Sequence, residues 1–93
     1  MVVQPRRARK ADANQAQIVA GLRALGIGVI VWNGECDVVA GWRNRNFLLE
    51  VKRDHKAKLK PSQEHLRTTW PGQYSIVSTL DEALAVIGWE GKP

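Results

Sequence analysis

Asp37, Glu50 and Lys52 are the residues of this chain best suited to chemistry. They lie in two apolar stretches, "CDVVAG" and "FLLEVKR". Glu50 and Lys52 are two positions apart, so on an extended strand both side chains point to one face. If the two stretches pair as a hairpin, two carboxylates and one ammonium meet. Such a set suits a divalent cation and the attack of water on a phosphodiester. Magnesium takes oxygen ligands in near-octahedral geometry and keeps several waters. Asp37 and Glu50 would be its ligands, the backbone carbonyl of Val51 would be a third, and Mn2+ would substitute. Lys52 is then the group that orients the attacking water and stabilises charge growing on phosphorus.

Each residue has a plainer reading. An E-x-K triplet arises often by chance, as a salt bridge or a half-exposed edge, and Asp37 could be a turn residue after Gly34. Within "FLLEVKR", Phe47, Leu49 and Val51 take one face and belong to the core, while Glu50 and Lys52 share the other with Leu48. An acid and a base inside an apolar run are costly unless paired or ligated. Gln63 is a further candidate, as an amide that could orient Lys52 or the water, or a solvated first-turn residue. Asn14, Gln15 and Gln17 could meet a phosphate backbone or form a polar helix face. His55 reads as solvated and His65 as packed against the sheet.

The elements that must position these residues follow from periodicity and punctuation. Asp12 with Gln15 reads as a capping box, and Ile18, Val19, Leu22 and Leu25 recur at helical spacing up to Gly26, giving a helix at 13–25. Strands are expected at 27–32, 36–42 and 47–53, with turns at "NGE" and "RNRN". Their apolar residues on both faces suggest a sheet covered on both sides. Pro61 opens a short helix at 61–69, closed by Trp70-Pro71-Gly72, and "QYSIV" at 73–77 is a fourth strand. Thr79 with Glu82 caps a last helix that Gly88 ends. The expected class is α/β, in the order α-β-β-β-α-β-α.

Ninety-three residues make one domain. Residues 1–10 read as a basic, disordered arm, and 11–93 as a single domain. With 44% hydrophobic and 25% charged residues the composition is that of an ordinary globular domain. No apolar run approaches the roughly 20 residues of a membrane span. Cys36 is the only cysteine, which excludes an intrachain disulfide and a zinc-finger site. A cytoplasmic location is expected, the host cytosol if the chain is phage-encoded. The net charge of +5 favours a polyanionic partner. Four of the fourteen Lys and Arg fall in Arg6 to Lys10, and seven between Arg43 and Lys60. Arg43, Arg45, Arg53, Lys56, Lys58 and Lys60 are the candidate DNA contacts. Trp42 beside Arg43 and Arg45 could form a gripping or stacking tip, or be core.

"CDVV" with "LLEVKR" resembles the PD-(D/E)XK nuclease superfamily. The chain is more closely similar to the small phage and prophage proteins of its VRR-NUC-like branch, related to Holliday-junction resolvases. The resemblance runs from about Lys10 to Gly88 through "KADANQAQIVAGLRALG", "GECD", "GWRNRNFLLEVK", "KLKPSQ", "WPGQ" and "STLDEALAVIG". It implies a restriction-endonuclease-like core, a mixed sheet flanked by helices. It also implies that Asp37 and Glu50 are metal-binding acids, Lys52 the catalytic lysine and Gln63 the glutamine of the following helix. Asn14 falls where wider relatives carry a helix-borne acid, and Cys36 where a proline usually precedes the first acid.

The function expected is that of a Mg2+-dependent DNA endonuclease, in its finer form selective for branched DNA such as Holliday junctions. Cutting two strands needs two sites, so a homodimer is expected. The alternative is a catalytically inactive DNA-binding module of the same fold. A third reading, a protein-interaction domain docking through exposed tryptophan, leaves the charge cluster unexplained.

Overall fold

The computed structural model describes residues 10–91. The basic arm expected at residues 1–10 therefore lies outside them, except for the backbone of Lys10. Seven elements follow in the order α1 (Lys10–Ala24), β1 (Gly28–Val31), β2 (Val38–Trp42), β3 (Arg45–Val51), α2 (Pro61–Thr69), β4 (Gln73–Val77) and α3 (Leu80–Ile87). The sheet order is β1-β2-β3-β4. β1 to β3 form an antiparallel meander, and β4 joins β3 in parallel. A parallel neighbour cannot be reached by a tight turn, so the chain crosses over through α2. This is the mixed α/β arrangement that the sequence predicts.

Two helices end in the same way. Gly26, at φ 83°, follows α1, with its N–H donating to the Arg23 carbonyl and that of Ile27 to Leu22. Gly88, at φ 80°, ends α3 with the N–H of Trp89 donating to Leu84. Both satisfy the last carbonyls of a helix through a left-handed glycine. α3 starts as expected, with the Thr79 hydroxyl accepting from the Glu82 N–H. α1 differs: it already includes Lys10, so Asp12 lies inside the helix rather than before it. The Asp12–Gln15 capping box is therefore replaced, and Gln15 instead donates to the Asn33 side chain across to the next loop.

The turn expected over 43–46 is tighter. Only Arg43 (φ 53°) and Asn44 (φ 64°) turn, and Arg45 and Asn46 already pair with Trp42 and Gly41. Two consecutive residues at positive φ suit the right-handed twist of a two-residue hairpin.

The core lies on one face of the sheet. Ile18 and Leu22 of α1 and Ala83 and Ile87 of α3 pack against Val38, Ala40, Phe47, Leu49, Val51 and Val77. The opposite face is only partly covered, contrary to the two-sided burial expected. α2 lies over it, with Arg67 and Ile76 lining one cleft, but contributes no buried residue. Ile30 on that face is 65% exposed. The apolar runs misled because β1 is an edge strand whose Ile30 face stays open, while its other face meets α1. His65 is likewise exposed on α2 rather than packed against the sheet.

Leu49 is fully buried at the centre of this core. Leu49→Ala is expected to lower unfolding free energy by about 2–5 kcal/mol, read by urea denaturation.

Candidate active site

The site sits where the β2–β3 ladder stops. β2 begins at Val38 and β3 ends at Val51, leaving Asp37 just before one strand and Lys52 just after the other. The strands are shorter here than their apolar runs suggest, for a local reason. An Asp37 carboxylate oxygen, Oδ2, accepts the N–H of Val51 at 2.8 Å. A side chain thus holds the strand end in place of a continued ladder. The Asp37 N–H donates to Leu49, and its carbonyl accepts from Trp32 and Asn33 at 2.9 and 3.1 Å.

Glu50 is the buried charged residue of the described chain, only 5% exposed. Burial raises its pKa most, the neighbouring Asp37 charge raises it further, and Lys52 pulls the other way; it stands at about 7 against 4.5 ordinarily. Its Oε2 accepts from the Gln63 side chain at 2.7 Å and lies 3.6 Å from the Lys52 ammonium. The Gln63 carbonyl in turn accepts from Lys52 Nζ at 2.8 Å and from the Lys60 N–H at 2.9 Å. With two donors on its oxygen and an acid on its nitrogen, the amide has one satisfactory orientation. Gln63 therefore fixes Glu50 and Lys52 relative to each other, and Lys60 fixes Gln63 at the start of α2.

Asp37, Glu50, Lys52 and Gln63 thus come together. They line a cleft of about 920 Å3 with Val51, Lys60, the loop residues Asn33 and Gly34, and one face of α1. Asn14 is placed differently. Its side-chain N–H groups donate to the carbonyls of Lys52 and Arg53, at 3.1 and 3.2 Å, so it ties α1 to the end of β3. Gln17 is exposed and lies off the cleft. The α1 residues that do line it are Ala11, Asp12, Gln15, Ala16, Val19, Ala20 and Arg23. These recur at the three- and four-residue spacing of one helix face, a signal present in the sequence but masked by reading Asp12 as a cap. Asp12 is the carboxylate that sequence reasoning left out of the site.

The basic residues divide into two groups. Arg53, Lys56, Lys58 and Lys60 are exposed on the segment between β3 and α2, and of these Lys60 lines the cleft. Arg43 and Arg45 lie at the other end of the hairpin, about 20 Å away along the strand at ~3.4 Å per residue. There Arg43 pairs with Glu90 at 3.3 Å and stands beside the Trp42 ring, and Arg45 stands over Phe47. His55 is exposed and meets Glu82 at 3.0 Å. Tyr74 has a buried hydroxyl without a hydrogen-bond partner among the described residues, and burial, with help from the Glu50 charge, pushes its pKa to about 12.

The donor set suits a hard divalent cation: two adjoining carboxylates, one almost buried, repel one another when both are charged. No cluster of three metal-ligating side chains occurs among the described residues, so a backbone carbonyl and water would have to complete the shell.

An acid pair at the open end of a hairpin, in a mixed sheet with its core on one face, defines a class of α/β domain. The solved structure of a VRR_NUC domain shares this architecture, with a TM-score of 0.68 over 88% of this chain and 98% of that one, at 24% identity. The chain has the VRR_NUC fold. It matches no protein-family model and no curated protein.

Two measurements follow from this geometry. Because Glu50 keeps its proton when folded at pH values where the unfolded chain has lost it, its contribution favours folding most below pH 4.5 and is lost as pH rises through about 7. Urea denaturation of the metal-free protein should show this fall, and Glu50→Gln should flatten it. An unchanged slope would show that Glu50 is not the titrating group. Asn14→Asp sets a carboxylate against two carbonyls and should cost about 1–3 kcal/mol at neutral pH, less in acid where the side chain is protonated.

Proposed function

We propose that this chain is a divalent-metal-dependent DNA endonuclease, selective for branched DNA and working as a homodimer. The observation that carries the reading is the Asp37–Glu50 pair, with Lys52 and Gln63 locked to Glu50, at the end of β3 in a VRR_NUC fold. Asp37, Glu50 and the carbonyl of Val51 would hold Mg2+ or Mn2+. When bound, the cation supplies positive charge that lowers the pKa of nearby water and offsets charge on the phosphate.

The chain's own groups account for the rest. The Lys52 ammonium, held by Gln63 at 2.8 Å, points a positive charge and N–H donors at the place where phosphoryl charge develops. The carboxylates receive the proton as water attacks. The new bond is between water oxygen and phosphorus; the bond to the leaving sugar oxygen breaks, and that oxygen takes a proton. Arg53, Lys56, Lys58 and Lys60, on the segment that leads from β3 to α2, would be phosphate contacts that carry no base code. One site per chain cuts one strand, so symmetrical incision of a junction calls for two copies.

A second reading, a DNA-binding module without catalysis, has one observation in its favour: Asn14 is occupied by backbone carbonyls and supplies no further acid. It predicts salt-sensitive DNA binding indifferent to metal.

Cleavage of plasmid and of a synthetic four-way junction, with Mg2+ or Mn2+, separates the two. The nuclease should cut, and Lys52→Ala and Asp37→Asn should each lose about 100-fold or more in rate. Calorimetric Mn2+ binding should vanish in Asp37→Asn. Failure of the native chain to cut with either metal favours the inactive module, and equal cutting by Lys52→Ala would overturn the site proposed for the nuclease.

A further inference from the structure

Exposed large hydrophobic residues are concentrated on one edge of the described chain. Leu25, Ile30, Val31 and Trp32 are 39%, 65%, 41% and 49% exposed, and only Trp70 lies elsewhere. All four belong to β1 or flank it, and β1 is an edge strand. Sheets usually guard such an edge with charge, proline or a bulge. The strand GVIV has no charge and no proline, and its register with β2 is continuous. α1 packs on one face of β1, but among the described residues one hydrogen bond reaches its outward edge: Arg23 Nη2 donates to the Val29 carbonyl at a long 3.4 Å. That carbonyl therefore points away from β2, and by the alternation of an antiparallel pair the backbone groups of Val31 do too.

We infer that this edge receives a second copy of the same chain, β1 pairing antiparallel with its counterpart about a two-fold axis at Ile30. Three features select that register. Val29 then faces Val31 of the second copy, so the outward N–H and C=O groups on each side meet. Ile30, the most exposed of the four, faces itself. Trp32 faces Gly28 of the second copy, the largest side chain against none. A contact in which each patch answers itself is what a closed two-fold dimer requires. A nucleic acid would be drawn to charge, and among the described residues this edge offers only Arg23, which has to swing off Val29 to admit the new strand.

Joined in this way the sheet grows from four strands to eight. Its two-fold axis is perpendicular to the sheet, so both Glu50 residues lie on the same face. They are separated by five strand spacings, about 24 Å across the strands. The inference rests on the reading that the chain works as a pair, and not on its cutting DNA.

Sedimentation and cross-linking test it without any cleavage assay. The native chain should sediment as a dimer. Ile30→Lys, at a site exposed enough to keep the fold by circular dichroism, should weaken association by about 100-fold or more. Gly28→Cys and Trp32→Cys should form a disulfide when mixed under mild oxidation, and neither should do so alone. A cysteine at 28 is accommodated, since a β-carbon there meets nothing nearer than the Gly41 carbonyl at 3.6 Å, and Cys36 is buried and stays silent. A native monomer, a dimer indifferent to Ile30→Lys, or no mixed disulfide would each overturn the inference. Cleavage failing while these results hold would remove the nuclease reading alone.

Discussion

The hydrogen bond from the Val51 N–H to Asp37 Oδ2 governs the end of the molecule where the acid pair lies. A carboxylate takes the place of a backbone partner, so β2 and β3 stop pairing where the acid pair of the candidate site begins. That same bond holds Asp37 beside Glu50, and the nearness of the two acids is one reason Glu50 holds its proton to about pH 7. A hairpin with continuous pairing would have left Asp37 free to turn to solvent and Glu50 without its neighbour. The site is thus made by interrupting secondary structure, at a place where the interruption leaves no donor unsatisfied.

Gln63 extends this logic from the sheet to α2. One amide accepts from Lys52 and from the backbone of Lys60, and donates to Glu50. An acid and a base placed 3.6 Å apart could collapse into a simple ion pair. Sharing the amide gives each of them a second partner and fixes the lysine stem without removing its charge. Asn14 does similar work on the other side, where its two donor contacts pin the backbone that follows β3 to α1. Lys52 is held from two helices, although it lies outside both and just beyond the strand.

Much of this could be read from residue types alone. Pro61, Thr79 and Gly88 mark helix ends by backbone chemistry, and α2 and α3 lie where those residues put them. The alternation in "FLLEVK" separates Phe47, Leu49 and Val51, all buried in the core, from Glu50 and Lys52. What could not be read depends on contacts between distant positions. The β2–β3 ladder ends early because of the side chain of Asp37, just ahead of β2. Asp12 lines the cleft because α1 reaches back at least to Lys10. The basic run from Arg43 to Lys60 looks like one patch in sequence, but a strand of extended chain carries its two parts to opposite ends of the hairpin. Neither local propensity nor charge counting contains that distance.

The parallel pairing of β3 with β4 has a consequence for when the site exists. β1, β2 and β3 are joined by short turns, so the acid pair belongs to a meander built from contacts close in sequence. Gln63 is no farther in sequence from Glu50 than Asp37 is from Val51, but α2, which carries it, packs against β4, and β4 reaches β3 only through the long crossover that pairs Phe47 with Gln73. Contacts between distant segments carry the larger closure entropy and form later as a rule. A partly folded chain can therefore hold Asp37 and Glu50 together while Lys52 still swings free. Completion of the centre coincides with completion of the domain, and a newly made polypeptide passes through its unfinished states with that lysine unaimed.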